Sequence, residues 1–312
     1  MQIAILDDYQ RATPALDCFS RLAAHHVEIF SAPLGDVAQL GDFDALVLIR
    51  QRTRITASVL EHLPRLKLIV QTASIGPHVD VAACRARGVT VCDGTGGPVS
   101  TAELTWGLIL ASARNVIAES ERLRTGLWQG SVGFALAGRQ LGLLGFGRIA
   151  QRVARYAAAF EMRLCVWGRE STLARARAAG LQTLATLSEI FAESDVLSVH
   201  LRLTEETRGL IRDEHLAAMR PDAMFVNTSR AELVAPGALE RALRAGRPGR
   251  AALDVFENEP LLGVVDPVLA LPGVTATPHI GFVEKDSYEH YFGEAFDAIN
   301  AFAAGEPVRV VT

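Results

Sequence analysis

Apolar residues along this chain fall into two alternating rhythms. Nearly continuous apolar runs occur at 3–7, 44–49, 67–70 and 89–92, and 26–30 alternates apolar with polar. Such runs predict short strands, the continuous ones buried on both faces. Between them the spacing becomes helical. Thr13 followed by Pro14 predicts an N-cap and first helical residue. Thr56 precedes Val59, Leu60 and Leu63, and a short helix over 79–87 is stopped by Gly88. Strand and helix in alternation predict a parallel sheet with helices on both faces.

The stretch 93–100 reads Asp-Gly-Thr-Gly-Gly-Pro-Val-Ser and marks a break between structural units. Ser100 or Thr101 then predicts the cap of one long helix reaching about Arg124. A second alternation follows, with strands expected near 141–144, 163–167, 182–185, 195–200, 223–227, 251–255 and 274–277. Thr186 with Glu189 forms a capping box, and Gly180 and Gly246 stop the helices before them. The last helix, 285–304, carries Tyr288, Tyr291, Phe292, Phe296, Ile299 and Phe302. That stripe is expected to face core or interface, with a share in a substrate pocket as the alternative.

The length of 312 residues allows about two domains at the usual ~100–200 residues each. A formal charge of −4 and no Lys/Arg block argue against a nucleic-acid partner. No apolar run approaches the ~20 residues of a membrane span. Met1-Gln2-Ile3 runs directly into a strand without a basic leader, so a cytoplasmic protein without a signal peptide is expected. Cys18, Cys84, Cys92 and Cys165 form no CxxC pair and fit no zinc spacing; reduced thiols and no metal site are expected.

The run 141–150, Leu-Gly-Leu-Leu-Gly-Phe-Gly-Arg-Ile-Ala, carries the clearest chemistry. It reads as a buried strand, a glycine turn and the first turn of a helix. Gly145 permits the turn, Gly147 lets a pyrophosphate approach the backbone, and Ala150 lets helix and strand pack closely. The helix presents Ile149, Ala150, Val153, Ala154, Ala157 and Phe160 on one face. Its free N-terminal amides make Gly145, Phe146, Gly147, Arg148 and Ile149 a candidate anion site. An NAD-preferring unit places an acid ~20 residues after the glycines. Here Gly168 holds that position, followed by Arg169, Glu170 and Ser171. Arg169 and Ser171 suit a 2′-phosphate, while Glu170 is the alternative partner for a ribose hydroxyl. The balance favours NADP over NAD.

Five separated motifs then resemble one family. They are 145–150; 195–201 with Thr204 and 207–211; 225–230 (Phe-Val-Asn-Thr-Ser-Arg); 254–260 (Asp-Val-Phe-Glu-Asn-Glu-Pro); and 277–281 (Thr-Pro-His-Ile-Gly). In this order they resemble the D-isomer-specific 2-hydroxyacid dehydrogenases over nearly the whole chain. The resemblance implies an α/β protein of two doubly wound parallel-sheet domains with a cleft between them. A Rossmann nucleotide domain, 98–282, would be inserted into a flavodoxin-like substrate domain, 1–97 and 283–312. It also implies reversible, NAD(P)-dependent reduction of small 2-oxo acids to D-2-hydroxy acids, and a homodimer supported by the helix from Ser100 with Trp106 and Trp128.

By the same resemblance Arg230, Glu259 and His279 are the catalytic residues. All three follow predicted strands, where ligands bind in open parallel sheets. A histidine suits proton transfer, a neighbouring carboxylate orients it, and an arginine fork suits a substrate carboxylate. His200, Leu201, Thr207, Thr228, Ser229, Asp254 and Gly281 match cofactor-side positions, Asp254 as the expected carboxamide partner. A merely packed residue is the alternative reading of His200, and Thr207 reads as a supporting one. Ser74, Ile75 and Gly76 match the loop that offers backbone N–H groups to the substrate, and Arg50 matches a substrate-facing arginine. Arg50, Arg52 and Arg54 also read as plain loop charges. Three positions depart from the family pattern: Pro77, Ala231 where glycine is usual, and Phe282 where a small residue is usual. Phe282 with Tyr288 and Tyr291 suggests a narrower, aromatic pocket. Formate oxidation is disfavoured by Glu259, since family members performing it pair the histidine with glutamine. A dinucleotide-sensing, corepressor-like binding protein without turnover is the alternative from another class.

Overall fold

A computed structural model describes residues 1–311. The chain divides into two compact units, Met1–Gly97 joined by the segment from Val283 onward, and Pro98–Phe282. In the first unit five parallel strands, β1 (Gln2–Leu6), β2 (His26–Ile29), β3 (Ala45–Leu48), β4 (Leu68–Gln71) and β5 (Thr90–Cys92), lie in the order β2-β1-β3-β4-β5. Every residue of β3 and β4 is buried, as their unbroken apolar sequences require of strands covered on both faces. Helix α1 (Ala57–Glu61) is capped by Thr56, and α2 (Val81–Ala86) by Asp80.

The connection after β1 differs from the expected capped helix. Residues Thr13–Ala15 form a 3-10 turn, and Thr13 lies inside it with no side-chain capping bond. The fully buried Asp8 carboxylate does that work, accepting from the amides of Ala12 and Thr13 at 3.0 and 2.9 Å. A charged acceptor outcompetes a hydroxyl for these donors.

The second unit opens with α3 (Val99–Ala113) and α4 (Val116–Arg124), where one continuous helix was expected. Asn115 breaks it by taking a left-handed conformation, φ 53°, which asparagine tolerates better than most residues. Arg250 Nη1 fixes the break by donating to Asn115 Oδ1 at 2.6 Å and to the Ser112 carbonyl at 2.9 Å. Neither Ser100 nor Thr101 is the cap; Pro98 occupies that position.

The chain then runs through β6 (Gln140–Leu144), α5 (Arg148–Ala159), β7 (Arg163–Trp167), α6 (Glu170–Ala178), β8 (Gln182–Thr183), α7 (Leu187–Glu193) and β9 (Val196–Val199). It continues through α8 (Asp213–Ala218), β10 (Met224–Asn227), α9 (Ala238–Arg244), β11 (Arg250–Leu253) and β12 (Val274–Ala276). These seven strands form one parallel sheet, ordered β12-β11-β10-β9-β6-β7-β8. The predicted box of Thr186 and Glu189 caps α7. Phe160 departs from the expected apolar face of α5. It follows the helix as its C-cap, 42% exposed, with its ring centroid 5.0 Å from that of Trp106. Helix α10 (Lys285–Ala303) belongs to the first unit, where Tyr288, Tyr291, Phe292, Phe296 and Ile299 are buried and Phe19 meets Phe296 edge-on. Among the described residues no helix is long and apolar enough to cross a membrane. No group of three His, Cys, Asp or Glu side chains among them could hold a metal ion.

Strand order in the second sheet reverses at β6, which pairs with β7 on one side and β9 on the other. Such a reversal opens a crevice at the carboxyl ends of the strands. Gly145 follows β6 there with φ +92°, and a Cβ on it would stand 2.8 Å from the His200 carbonyl oxygen. His200, at the end of β9, places Nε2 2.9 Å from Ser198 Oγ, and burial pushes its imidazole pKa down from 6.5 to about 4. The folded state therefore resists a proton that the unfolded chain accepts. Stability from this group is complete above 6.5 and declines as the pH falls toward 4. Wild type should lose about 1–2 kcal/mol relative to His200→Gln between pH 7 and pH 5. Urea unfolding at both pH values measures it, and an unchanged difference contradicts a neutral, half-buried His200.

Candidate active site

The turn after β6 has the shape a pyrophosphate needs. Gly147 is the N-cap of the 12-residue α5, and no side chain caps the helix. A Cβ built on Gly147 meets nothing within 4 Å, so the space in front of the amides is clear. Ala150, Val153 and Ala157 are fully buried and hold the helix close to the sheet. The positive helix end and its backbone amides favour an anion here, with Phe146, Arg148 and Ile149 beside it. These residues fit a dinucleotide.

At the end of β7, Trp167, the chain turns through Gly168 into α6. Arg169 is its exposed N-cap residue, and Ser171 is also exposed. Glu170 Oε1 accepts from Arg177 Nη1 at 2.8 Å, which ties that carboxylate to its own helix. Thr207 Oγ1 donates to the Arg202 carbonyl at 2.7 Å and accepts from the Thr204 amide at 2.8 Å. It closes its own turn.

Three loops at the carboxyl edge of the same sheet carry the remaining candidates. After β10, Asn227 Oδ1 accepts from the Ser229 amide at 3.0 Å, and its Nδ2 donates to the Arg230 carbonyl at 2.9 Å. Ser229 Oγ donates to the Leu201 carbonyl at 2.7 Å, and Arg230 Nη1 donates to the Ser229 carbonyl. Burial lowers the Arg230 pKa, while Glu259 and Glu232 act to raise it. After β12, His279 stands in a left-handed conformation, φ 51°, with Nδ1 2.5 Å from Glu259 Oε2. The other oxygen of Glu259 accepts from the Phe256 amide at 2.8 Å. The two side chains are 28% and 31% exposed, so the pair is braced yet reachable. Arg230, Glu259 and His279 are thus gathered at one edge.

Asp254, expected beside the cofactor carboxamide, is committed to the histidine loop. Its Oδ1 accepts from Thr277 Oγ1 at 2.7 Å and the Ile280 amide at 2.8 Å, and its Oδ2 from the Gly281 amide at 2.8 Å. Burial raises its pKa; the hydrogen bonds and the nearby His279 oppose the shift. A Cβ on Gly281 would lie 2.9 Å from Asp254 Oδ2. Helix α3 braces both loops. Thr101 Oγ1 donates to the Gly281 carbonyl at 2.9 Å, and Thr105 Oγ1 meets Thr228 Oγ1 at 2.7 Å. Sequence reasoning assigned no role to Asn227 or Thr105, and read Thr101 only as a possible helix cap. Two threonines one helical turn apart, Thr101 and Thr105, were the available signal.

The three aromatic residues expected to narrow the pocket are all buried. Phe282 is buried and meets the His279 ring edge-on at 5.9 Å, so it supports the imidazole. Tyr288 and Tyr291 are each 3% exposed and belong to the core of the first unit. Within that unit Arg50 stands at φ 57°, its amide donating to Thr72 Oγ1 at 3.0 Å. Arg52 is held by the Asp7 carbonyl at 2.6 Å and lies 4.7 Å over the Tyr9 ring. In the loop after β4, Ser74 Oγ reaches the Gly94 carbonyl at 3.5 Å, while the Ile75 amide donates to Asp93 Oδ2 at 3.1 Å. A Cβ on Gly76 would come within 2.3 Å of Gln51 Nε2, so a larger residue there would have to displace the end of the Gln51 side chain.

Comparison with known proteins agrees with this geometry. Residues 106–281, more than half of the chain, match the family model of the D-isomer specific 2-hydroxyacid dehydrogenase, NAD binding domain. A glyoxylate reductase of Aeropyrum pernix is 37% identical over 263 residues, 81% of this chain and 78% of that protein. A D-3-phosphoglycerate dehydrogenase of Methanocaldococcus jannaschii is 35% identical over 246 residues; the match covers 78% of this chain but 46% of that longer protein. The crystal structure of a phosphoglycerate oxidoreductase from Vibrio cholerae superposes with a TM-score of 0.95 at 47% identity, covering 98% of this chain and 99% of that one. A glycine turn at a sheet reversal, an Arg, Glu and His at the same edge, and these matches together make the chain a member of the D-isomer-specific 2-hydroxyacid dehydrogenase family, a nicotinamide-dinucleotide oxidoreductase.

Proposed function

We propose that this enzyme reduces small 2-oxo acids, reversibly, with Arg230, Glu259 and His279 as its catalytic residues. The observation that carries the reading is the 2.5 Å contact between His279 Nδ1 and Glu259 Oε2. It engages one ring nitrogen and leaves Nε2 as the proton-transfer atom. In the reducing direction the bound dinucleotide supplies the hydride to C2 of the acid. His279 Nε2 gives its proton to the carbonyl oxygen, so hydride and proton together convert the ketone to the alcohol. Glu259 holds the ring plane through its contact with Nδ1. Arg230 pairs with the substrate carboxylate and draws charge toward the carbonyl oxygen.

Ser74, Ile75, Gly76 and Arg50 form the substrate-binding side of this proposal. Asp254 serves His279 by fixing its loop, and His200, Leu201, Thr228, Ser229 and Gly281 attend the dinucleotide. NADP is the favoured cofactor. No acid stands at Gly168, Glu170 is paired with Arg177, and exposed Arg169 and Ser171 flank the helix start where a 2′-phosphate would lie. A homodimer fits the exposed apolar side chains of Val116, Ile117, Leu123, Leu127, Trp128 and Val132, gathered on α4 and the segment after it.

Assay of glyoxylate, hydroxypyruvate and pyruvate tests the reaction. Turnover of at least one is expected, and none would leave a dinucleotide-sensing protein. His279→Gln should lower kcat by about 10²–10⁴ with dinucleotide binding kept; near wild-type kcat removes the assignment. In fluorescence titration NADPH should bind about tenfold more tightly than NADH, the worth of one charge-assisted contact. A reversed order defeats the NADP reading. Sedimentation should give twice the chain mass, and Val132→Asp with Trp128→Glu should give the monomer. A monomeric wild type contradicts the dimer.

A further inference from the structure

Arg230 and Glu259 stand on different loops, and one side chain ties the two loops together. The segment directly after Arg230 lies against 209–211. The Gly209 amide donates to the Glu232 carbonyl at 2.8 Å, the Ile211 amide to the Leu233 carbonyl at 3.0 Å, and the Ala235 amide to the Ile211 carbonyl at 2.8 Å. Leu233 is fully buried and pins the middle of the segment. Gly237 then turns the chain into α9 at φ 67°. Arg241, one helical turn on, packs over that turn: a Cβ on Gly237 would stand 2.8 Å from its Nη1. Its Nε and Nη2 donate to Asp213 Oδ1 and Oδ2 at 2.8 and 2.9 Å. The stretch from Arg230 to Gly237 is therefore held along its length by its neighbours.

The Glu259 loop is less supported, since residues 257–260 are exposed. Within it the Phe256 amide donates to Glu259 Oε1 at 2.8 Å. Glu257 reaches out of it: its Oε1 accepts from the Gly237 amide at 2.9 Å. An amide at the start of a helix has no carbonyl of its own helix to meet, and a carboxylate is the favoured acceptor there. We propose that Glu257 is a positioning residue for the reaction: by holding the Gly237 amide, it fixes the Glu259 loop to the segment that carries Arg230, and so sets where the Glu259 carboxylate meets His279. This rests on the reading above that Glu259 and His279 serve the proton step. The effect of Glu257 passes through Glu259, so it falls on kcat and leaves dinucleotide affinity alone.

Glu257→Ala, Glu257→Asp and Glu257→Gln in the full chain test it. In Glu257→Ala, kcat for the best 2-oxo acid should fall about fivefold to tenfold, the usual loss for a well-made hydrogen bond, with dinucleotide affinity held within about twofold. Aspartate is one methylene too short for the Gly237 amide and should be impaired like alanine; it carries the same test should the alanine variant not fold. Glutamine keeps both the reach and a carbonyl acceptor, so Glu257→Gln should return kcat to within about twofold of wild type. Hydrogen exchange at the Gly237 amide should quicken in Glu257→Ala and stay slow in Glu257→Gln. The double variant separates positioning from a general loss of stability. Added to Glu259→Gln, Glu257→Ala should lower kcat by less than about twofold, because the carboxylate it places is already gone. The proposal is overturned by an unchanged kcat in Glu257→Ala, by Glu257→Gln being as impaired as Glu257→Ala, or by the two losses multiplying in full in the double variant. A Glu259→Gln single variant with wild-type kcat would instead remove Glu259 from the proposed reaction.

Discussion

The buried carboxylate of Asp254 governs how the histidine loop is built. Burial makes its charge costly, and the Thr277 hydroxyl and the Ile280 and Gly281 amides compensate by pointing at it. Their convergence leaves little freedom to the backbone around His279, which stands in a left-handed conformation between Thr277 and Ile280. With the loop held, Glu259 needs only to meet Nδ1, and its second oxygen is spent on the Phe256 amide. Asn227 does for Arg230 a smaller version of the same work, closing residues 227–230 with both ends of its amide. Helix α3 then ties the two loops together through Thr101 and Thr105.

Most of the architecture was legible because parallel strands buried on both faces must be written as apolar runs. β3, β4, β9 and β10 contain no exposed residue, and each was visible as such a run. Gly145 was legible for a sharper reason: its φ of +92° and the carbonyl 2.8 Å from a notional Cβ exclude every other residue. Arg230, Glu259 and His279 stood out in motifs that follow strands, and the structure brings all three to one edge of the second sheet. What escaped was set by contacts distant in sequence. The break at Asn115 depends on Arg250, 135 residues away. The cap at Thr13 was lost to Asp8, whose buried carboxylate offers two acceptor oxygens. The committed Ile75 amide depends on Asp93, and nothing in the local pattern of either segment announces the pairing.

Each sheet has one point where strand order reverses, and the two points are treated differently. At β6 and β9 the crevice is bounded by glycine and left clear for a ligand. At β1 and β3 the chain fills the equivalent place with its own groups. Arg52 crosses to the Asp7 carbonyl and stacks on Tyr9, and Thr53 donates to the Asp7 carboxylate. In the first unit the residues matched to substrate binding therefore lie at the ends of β3 and β4, beside the reversal.

The braces of α3 have a consequence for how such a protein can diverge. The glycine turn, the arginine, the glutamate, the histidine and the helix that ties their loops together all lie in one uninterrupted stretch, 98–282. The other unit is assembled from both chain ends. Recombination within the stretch would separate threonines from the loops they hold, whereas exchange at its two borders would carry the loops and their braces across together.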